Sequence, residues 1–105
     1  MTLLYTQTVN GERMTTPLNK QQAYAFSLAT QKPITQLDEQ LGLLWEINYE
    51  MFEYFDLDCV QPLSEKQYPI FANVLINACQ NTAELKDVYE PIKTALMADP
   101  RWSAA

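Results

Sequence analysis

Two glycines and six prolines in 105 residues leave little scope for a fold made of many tight turns. Frequent chain reversal needs glycine where the backbone takes positive φ. Here prolines mark the breaks instead, and that punctuation predicts helices joined by short connections.

One glycine has an evident use. Leu3 to Val9 is rich in strand formers, Asn10-Gly11 follows, and Glu12 to Thr16 continues. Asn-Gly suits a type I′ turn, so a β-hairpin is expected over about residues 3–15. Pairing about a two-residue turn sets Val9 opposite Glu12, Gln7 opposite Met14 and Tyr5 opposite Thr16. Leu3, Tyr5 and Met14 would then share the face that lies on the helices, because an isolated hairpin is marginal in water.

Four helices are expected after it, over about 17–31, 35–55, 66–80 and 82–98. Thr16-Pro17 reads as a cap followed by proline at the first helical position, and Lys32-Pro33 as a stop. Asp38 and Glu39 fall in the first turns of the second helix, where the helix dipole favours negative charge. Gln61-Pro62-Leu63-Ser64 is a break, and Pro69 sits early in the third helix. Leu85, Val88, Ile92 and Leu96 recur at helical spacing in the fourth, which Pro91 should kink or split. Asp99-Pro100 stops it and leaves Arg101-Trp102 as a tail. The fold class expected is α+β, predominantly helical. The length and a 48% hydrophobic share point to one domain over 1–105.

The charge is uneven. Residues 33 to 65 carry eight of the 13 acidic residues and no basic one, so the rest hold five acidic and seven basic residues. A net charge of −6 therefore resides in one third of the chain, and direct nucleic-acid binding, which needs a Lys/Arg footprint, is not expected. Placed on a helical wheel, Leu37, Leu41, Leu44, Trp45, Asn48, Met51, Phe52 and Phe55 form a core arc. Glu39, Glu46, Glu50 and Glu53 gather on the other side. Leu43, Ile47 and Tyr54 flank the glutamates on one edge and Tyr49 on the other. Glu46 and Glu50 repel at i,i+4, so the row calls for basic groups from elsewhere in the chain or from a partner. The hairpin is expected to cover the second apolar stripe. Asn48, polar within the core arc, is expected to find a local hydrogen-bond partner.

Catalytic parts are missing. Without histidine the commonest general base and metal ligand are absent, and a Glu-x-x-His di-iron site cannot be built. Asp56-Leu57-Asp58 lacks the glycine and terminal glutamate of a calcium loop. The two cysteines, Cys59 and Cys79, make neither a disulfide framework nor a nucleophile with its base, and Cys79 reads as a core residue. No enzyme activity, catalytic residue, metal or cofactor is expected. Neither a signal peptide nor a run long enough to span a bilayer is seen, so a cytoplasmic location without membrane association is expected.

What remains is a small acidic binder of the inhibitor, immunity-protein, antitoxin or phage counter-defence type. It would dock Glu39, Glu46, Tyr49, Glu50, Glu53 and Tyr54 on the basic surface of another protein, a nucleic-acid-binding protein being one candidate. The alternative is a structural or assembly subunit that forms a homo-oligomer through an apolar helix stripe.

Overall fold

The structure is a computed structural model that describes residues 1–8 and 10–102. Its elements are β1 (Thr2–Gln7), β2 (Arg13–Leu18), α1 (Lys20–Leu37), α2 (Glu39–Phe52), β3 (Tyr54–Asp56), α3 (Gln67–Gln80), a 3-10 segment (Ala83–Val88) and α4 (Tyr89–Met97). The expected helix-dominated α+β architecture with an N-terminal hairpin is present, and a third strand joins it. The sheet order is β2-β1-β3, with β1 antiparallel to β2 and parallel to β3.

The hairpin closes one residue differently from the expected turn. The Thr8 N–H donates to the Glu12 carbonyl at 2.9 Å and the Gly11 N–H to the Thr8 carbonyl at 2.9 Å. Gly11 takes φ +78°, so it ends a three-residue loop rather than forming half of a type I′ pair. Every pairing shifts accordingly: Thr6 faces Met14, Tyr5 faces Thr15 and Leu4 faces Thr16. These replace the expected Gln7–Met14 and Tyr5–Thr16 pairs; the expected Val9–Glu12 pair involves Val9, outside the described residues. Because strand side chains alternate, Thr2, Leu4 and Thr6 face the helices together with Thr16 and Leu18. Leu3 and Tyr5 turn to the opposite face, and Met14 is exposed near the turn of the hairpin.

Pro17 belongs to β2 and not to a helix. Counting in twos from the bonded Thr8–Glu12 pair, its nitrogen points away from β1, the edge position where a missing N–H is harmless. The helix start lies at Asn19, whose carboxamide oxygen accepts from the Gln22 N–H at 2.8 Å while Gln22 Oε1 accepts from the Asn19 N–H at 2.9 Å. Nor does Pro33 stop α1, which runs through it to Leu37. An interior proline costs about 3 kcal/mol, and full burial of the next residue, Ile34, offsets much of that at roughly 1.5–3 kcal/mol. Asp38 then ends α1 and begins α2: its N–H donates to the Ile34 carbonyl at 2.9 Å and its carboxylate accepts from the Leu41 N–H at 3.0 Å.

A single residue between antiparallel helices requires close approach, and Gly42 provides it. A Cβ there would lie 2.7 Å from the Thr35 Cα. The Gln31 side chain donates to the Gly42 carbonyl at 2.8 Å across the same contact. Below this, Phe26, Trp45 and Phe55 form the centre of the core, with Phe55 edge-on to Phe26 at 4.9 Å. The Trp45 indole N–H donates to Thr30 Oγ1 at 2.9 Å, so both buried groups are satisfied.

Helix α2 stops at Phe52, three residues earlier than expected. Phe55 is buried as a residue of β3 opposite Leu4, not as part of a helical arc. Leu37 belongs to the end of α1, and Leu37, Met51 and Phe52 are all exposed, so the buried arc of α2 is narrower than the wheel suggests and centres on Leu41, Trp45 and Asn48. Further on, the fourth helical stretch is indeed split, with Pro91 in the first turn of α4. Cys79 is buried in the core as expected, and both cysteines are free.

Candidate protein-binding site

Glu39, Glu46, Glu50 and Glu53 are all exposed along α2 and its C-cap. The ion pairs formed among the described residues join Arg13 to Asp56 and Arg101 to Asp58 and Asp99, and none of them reaches this row. Among the described residues no basic side chain forms an ion pair with it. The hairpin covers the expected apolar stripe only in part: Tyr54 packs on Tyr5 of β1 and Ile47 is half-buried, but Leu43 is 58% exposed, and Met51 and Phe52, expected in the core arc, are exposed too.

The arrangement is electrostatically adverse. The last turn of α2 contains no basic residue, while Glu50 and Glu53 stand at the negative end of the helix dipole, where anions lose the roughly 0.3–1 kcal/mol that cations would gain. Glu46 and Glu50 add i,i+4 repulsion. Glu53 also takes the left-handed conformation, φ 56° and ψ 45°, that caps the helix. A non-glycine residue holds that conformation at a cost of about 1–2 kcal/mol, and glycine is the usual occupant.

The two tyrosines expected to flank the row part company. Tyr49 is half-buried and stacks flat on Phe55, centroids 5.2 Å apart and planes 9° apart. Burial pushes its hydroxyl pKa up, with smaller contributions from Tyr24, Glu50 and Glu53. Tyr54 is not on the helix. It lies on the outer face of the sheet, edge-on to Tyr5 at 5.5 Å and tilted against Phe52 at 6.5 Å. Its hydroxyl pKa is raised by burial first, then by Cys59 and Asp56, with Arg13 opposing. Asn48 is buried, and its side chain lies beside the Cys59 thiol in the turn after β3, where it opposes the rise in the thiol pKa; that neighbour is neither a helix end nor the hairpin.

Where α1 begins and α2 ends, the antiparallel helices and the start of β1 enclose an open cleft of about 570 Å³. Tyr24 and Tyr49 line it with Glu50 and Glu53; Met1, Thr2, Lys20 and Ala23 complete the wall. Tyr24 did not emerge from the sequence, because only the packing of α1 on α2 brings it beside Tyr49.

A second cluster was likewise hidden. The Arg101 guanidinium uses all five N–H donors: Nε and Nη2 on Asp99 at 2.9 and 2.7 Å, Nη1 and Nη2 on Asp58 at 2.9 Å each, and Nη1 on the Leu63 carbonyl at 2.9 Å. It also lies over the Tyr68 ring at 4.3 Å. The expected free tail at Arg101 is thus a buried anchor, signalled only by Asp99 two residues earlier, whose carboxylate accepts the Arg101 N–H at 2.8 Å. A small cavity of about 80 Å³ adjoins this cluster where β3 stops short of β1. The buried Thr6 hydroxyl borders it and has no hydrogen-bond partner. Asp56, also on the cavity wall, has its carboxyl pKa raised by burial, against the opposing pull of the Asp58 N–H and Arg13. Its acids are engaged by arginine, which is the chemistry of a structural clamp.

Among the described residues no group of three or more Cys, Asp or Glu is placed to hold a metal ion, and no helix is long and apolar enough to cross a membrane. Comparison of the chain with protein-family models, with curated proteins and with solved structures gave no match.

Proposed function

We propose that this protein is a non-catalytic binding module that docks the glutamate face of α2 on a basic surface of another protein. One observation supports the reading above the others. The row of Glu46, Glu50 and Glu53 is exposed and forms no ion pair among the described residues, Glu50 and Glu53 stand against the helix dipole and Glu46 repels Glu50, so the row lowers stability where it stands. Sequences break local rules chiefly where function requires it. A basic partner reverses the sign of each of these terms, and long-range attraction speeds the encounter. An inhibitor, immunity-type or counter-defence role fits such a surface, and a nucleic-acid-binding protein would offer a suitable partner.

The test compares the wild-type chain with Glu46→Lys/Glu50→Lys/Glu53→Lys in pull-downs from the native host across a salt series, with a thermal melt of each. The expected result is a basic protein retained by the wild type, released by salt and lost by the variant, whose melt is not lowered and rises where the new lysines suit the C-terminal end of α2. Exposed pairs contribute up to about 1 kcal/mol each. Undiminished capture by a variant with an intact melt rejects the reading.

Leu43, Met51 and Phe52 favour a second reading, self-association through the exposed apolar residues of α2. Sizing chromatography separates the two: an apolar homo-oligomer persists at high salt, whereas a charge-driven complex is screened.

A further inference from the structure

We infer that the cleft between Tyr24 and Tyr49 is the anchor pocket of this surface and takes an arginine side chain of the partner. The inference rests on the acidic-face reading and specifies the group that face recognises. Tyr24, from α1, and Tyr49, from α2, bring two phenol rings to one concave site, with the Glu50 and Glu53 carboxylates beside them. Aromatic faces with carboxylates at the edge are the complement of a planar cation: a guanidinium stacks on a ring while its N–H groups fork onto carboxylate oxygens. A lysine ammonium is a compact, strongly hydrated charge and gains less from the ring faces.

Three features of the cleft agree with that occupant. Tyr49 is held flat against Phe55, itself fully buried, so this wall is rigid before anything binds. Tyr24 is 60% exposed, so its ring is accessible to a guest from the other side. Glu53 is the one non-glycine residue with positive φ among those described, a strained placement where glycine would serve the backbone better, and its charge is felt at the Tyr49 hydroxyl. Lys20, the basic side chain of the cleft wall, forms no ion pair with either glutamate, so both carboxylates remain available.

The experiment titrates the full chain at low salt with two peptides, hexa-arginine and hexa-lysine, following Tyr24 and Tyr49 ring resonances by NMR and affinity by calorimetry. Three variants accompany it: Tyr24→Ala and Glu53→Gln in the cleft, and Glu46→Gln in the row but outside it. Hexa-arginine is expected to bind at least tenfold more tightly than hexa-lysine and to shift both tyrosines. Tyr24→Ala and Glu53→Gln should each remove most of that preference, while Glu46→Gln weakens the two peptides alike. Equal affinity for the two peptides, or a preference that survives Tyr24→Ala, overturns the pocket and leaves the acidic face standing. Failure of both peptides to bind overturns the acidic face as well.

Discussion

Tyr49 and Phe55 lie face to face, 5.2 Å between centroids and 9° between planes, although one belongs to a helix and the other to a strand. The left-handed turn at Glu53 brings them together by reversing the chain so that β3 runs back under the end of α2. The inner ring touches Phe26 and Trp45 as well; the outer one borders the cleft. Truncating them should therefore give unequal losses. Phe55→Ala should lower stability by about 3–5 kcal/mol, the range for a buried aromatic. Half-buried Tyr49→Ala should lose well under half as much, about 1–2 kcal/mol. Urea denaturation with an unchanged slope for both variants checks the ordering.

The Arg101 clamp predicts that a nominally conservative exchange is harmful. Lysine offers three donors from a single point and cannot form forks with both Asp58 and Asp99, which are 17% and 1% exposed at their side chains. Arg101→Lys should lower stability by about 3 kcal/mol, because a buried carboxylate is left underpaired. A thermal melt within one or two degrees of wild type would show that the clamp is dispensable.

The elements were legible where local chemistry decided them and illegible where tertiary contacts did. Asn10-Gly11 marked the hairpin, yet whether its loop had two residues or three decided which face is buried, and burial of Leu4 and Leu18 settled that. Pro17 and Pro33 looked like a helix start and a helix stop. An open sheet edge accommodates the first, and the packing of Ile34 overrides the second. The glutamate row was visible as periodicity within one helix. Tyr24, which completes the cleft, and Arg101, which ties the C-terminal segment to Asp58, are contacts at long sequence distance that no periodicity reports.

Alkaline pH should weaken the fold from about pH 9 upward. Burial pushes the Cys79 thiol up to about 12, and burial together with Asp56 pushes Cys59 up to about 11, against an ordinary value of 9.0. Burial also raises the Tyr68 hydroxyl, whose O–H donates to the Leu96 carbonyl at 2.8 Å. The unfolded chain loses these protons first, so the stability they contribute is complete below pH 9 and is lost as pH rises through 11 and 12. Urea midpoints should be level from pH 6 to 8.5 and then fall. Cys79→Ala should show a shallower alkaline decline than wild type, measured relative to its own neutral-pH value.

Glu53 offers the most direct separation of folding from function. Glycine at this position relieves the left-handed strain and removes a negative charge from the C-terminal end of α2. It also loosens the unfolded chain, which offsets part of the gain. Glu53→Gly should therefore raise stability by about 1 kcal/mol, which is a melting-point increase of about 4–8 °C for a chain of this size. Glu53→Gln keeps the strain and loses only the charge, so its stability should rise by less than that of the glycine variant, about 0.3–1 kcal/mol at most. If the carboxylate is what the position is kept for, both variants should lose affinity for hexa-arginine to a similar degree while the glycine variant gains more stability. A glycine variant that is both more stable and fully competent to bind would show that the strain at Glu53 serves no recognition.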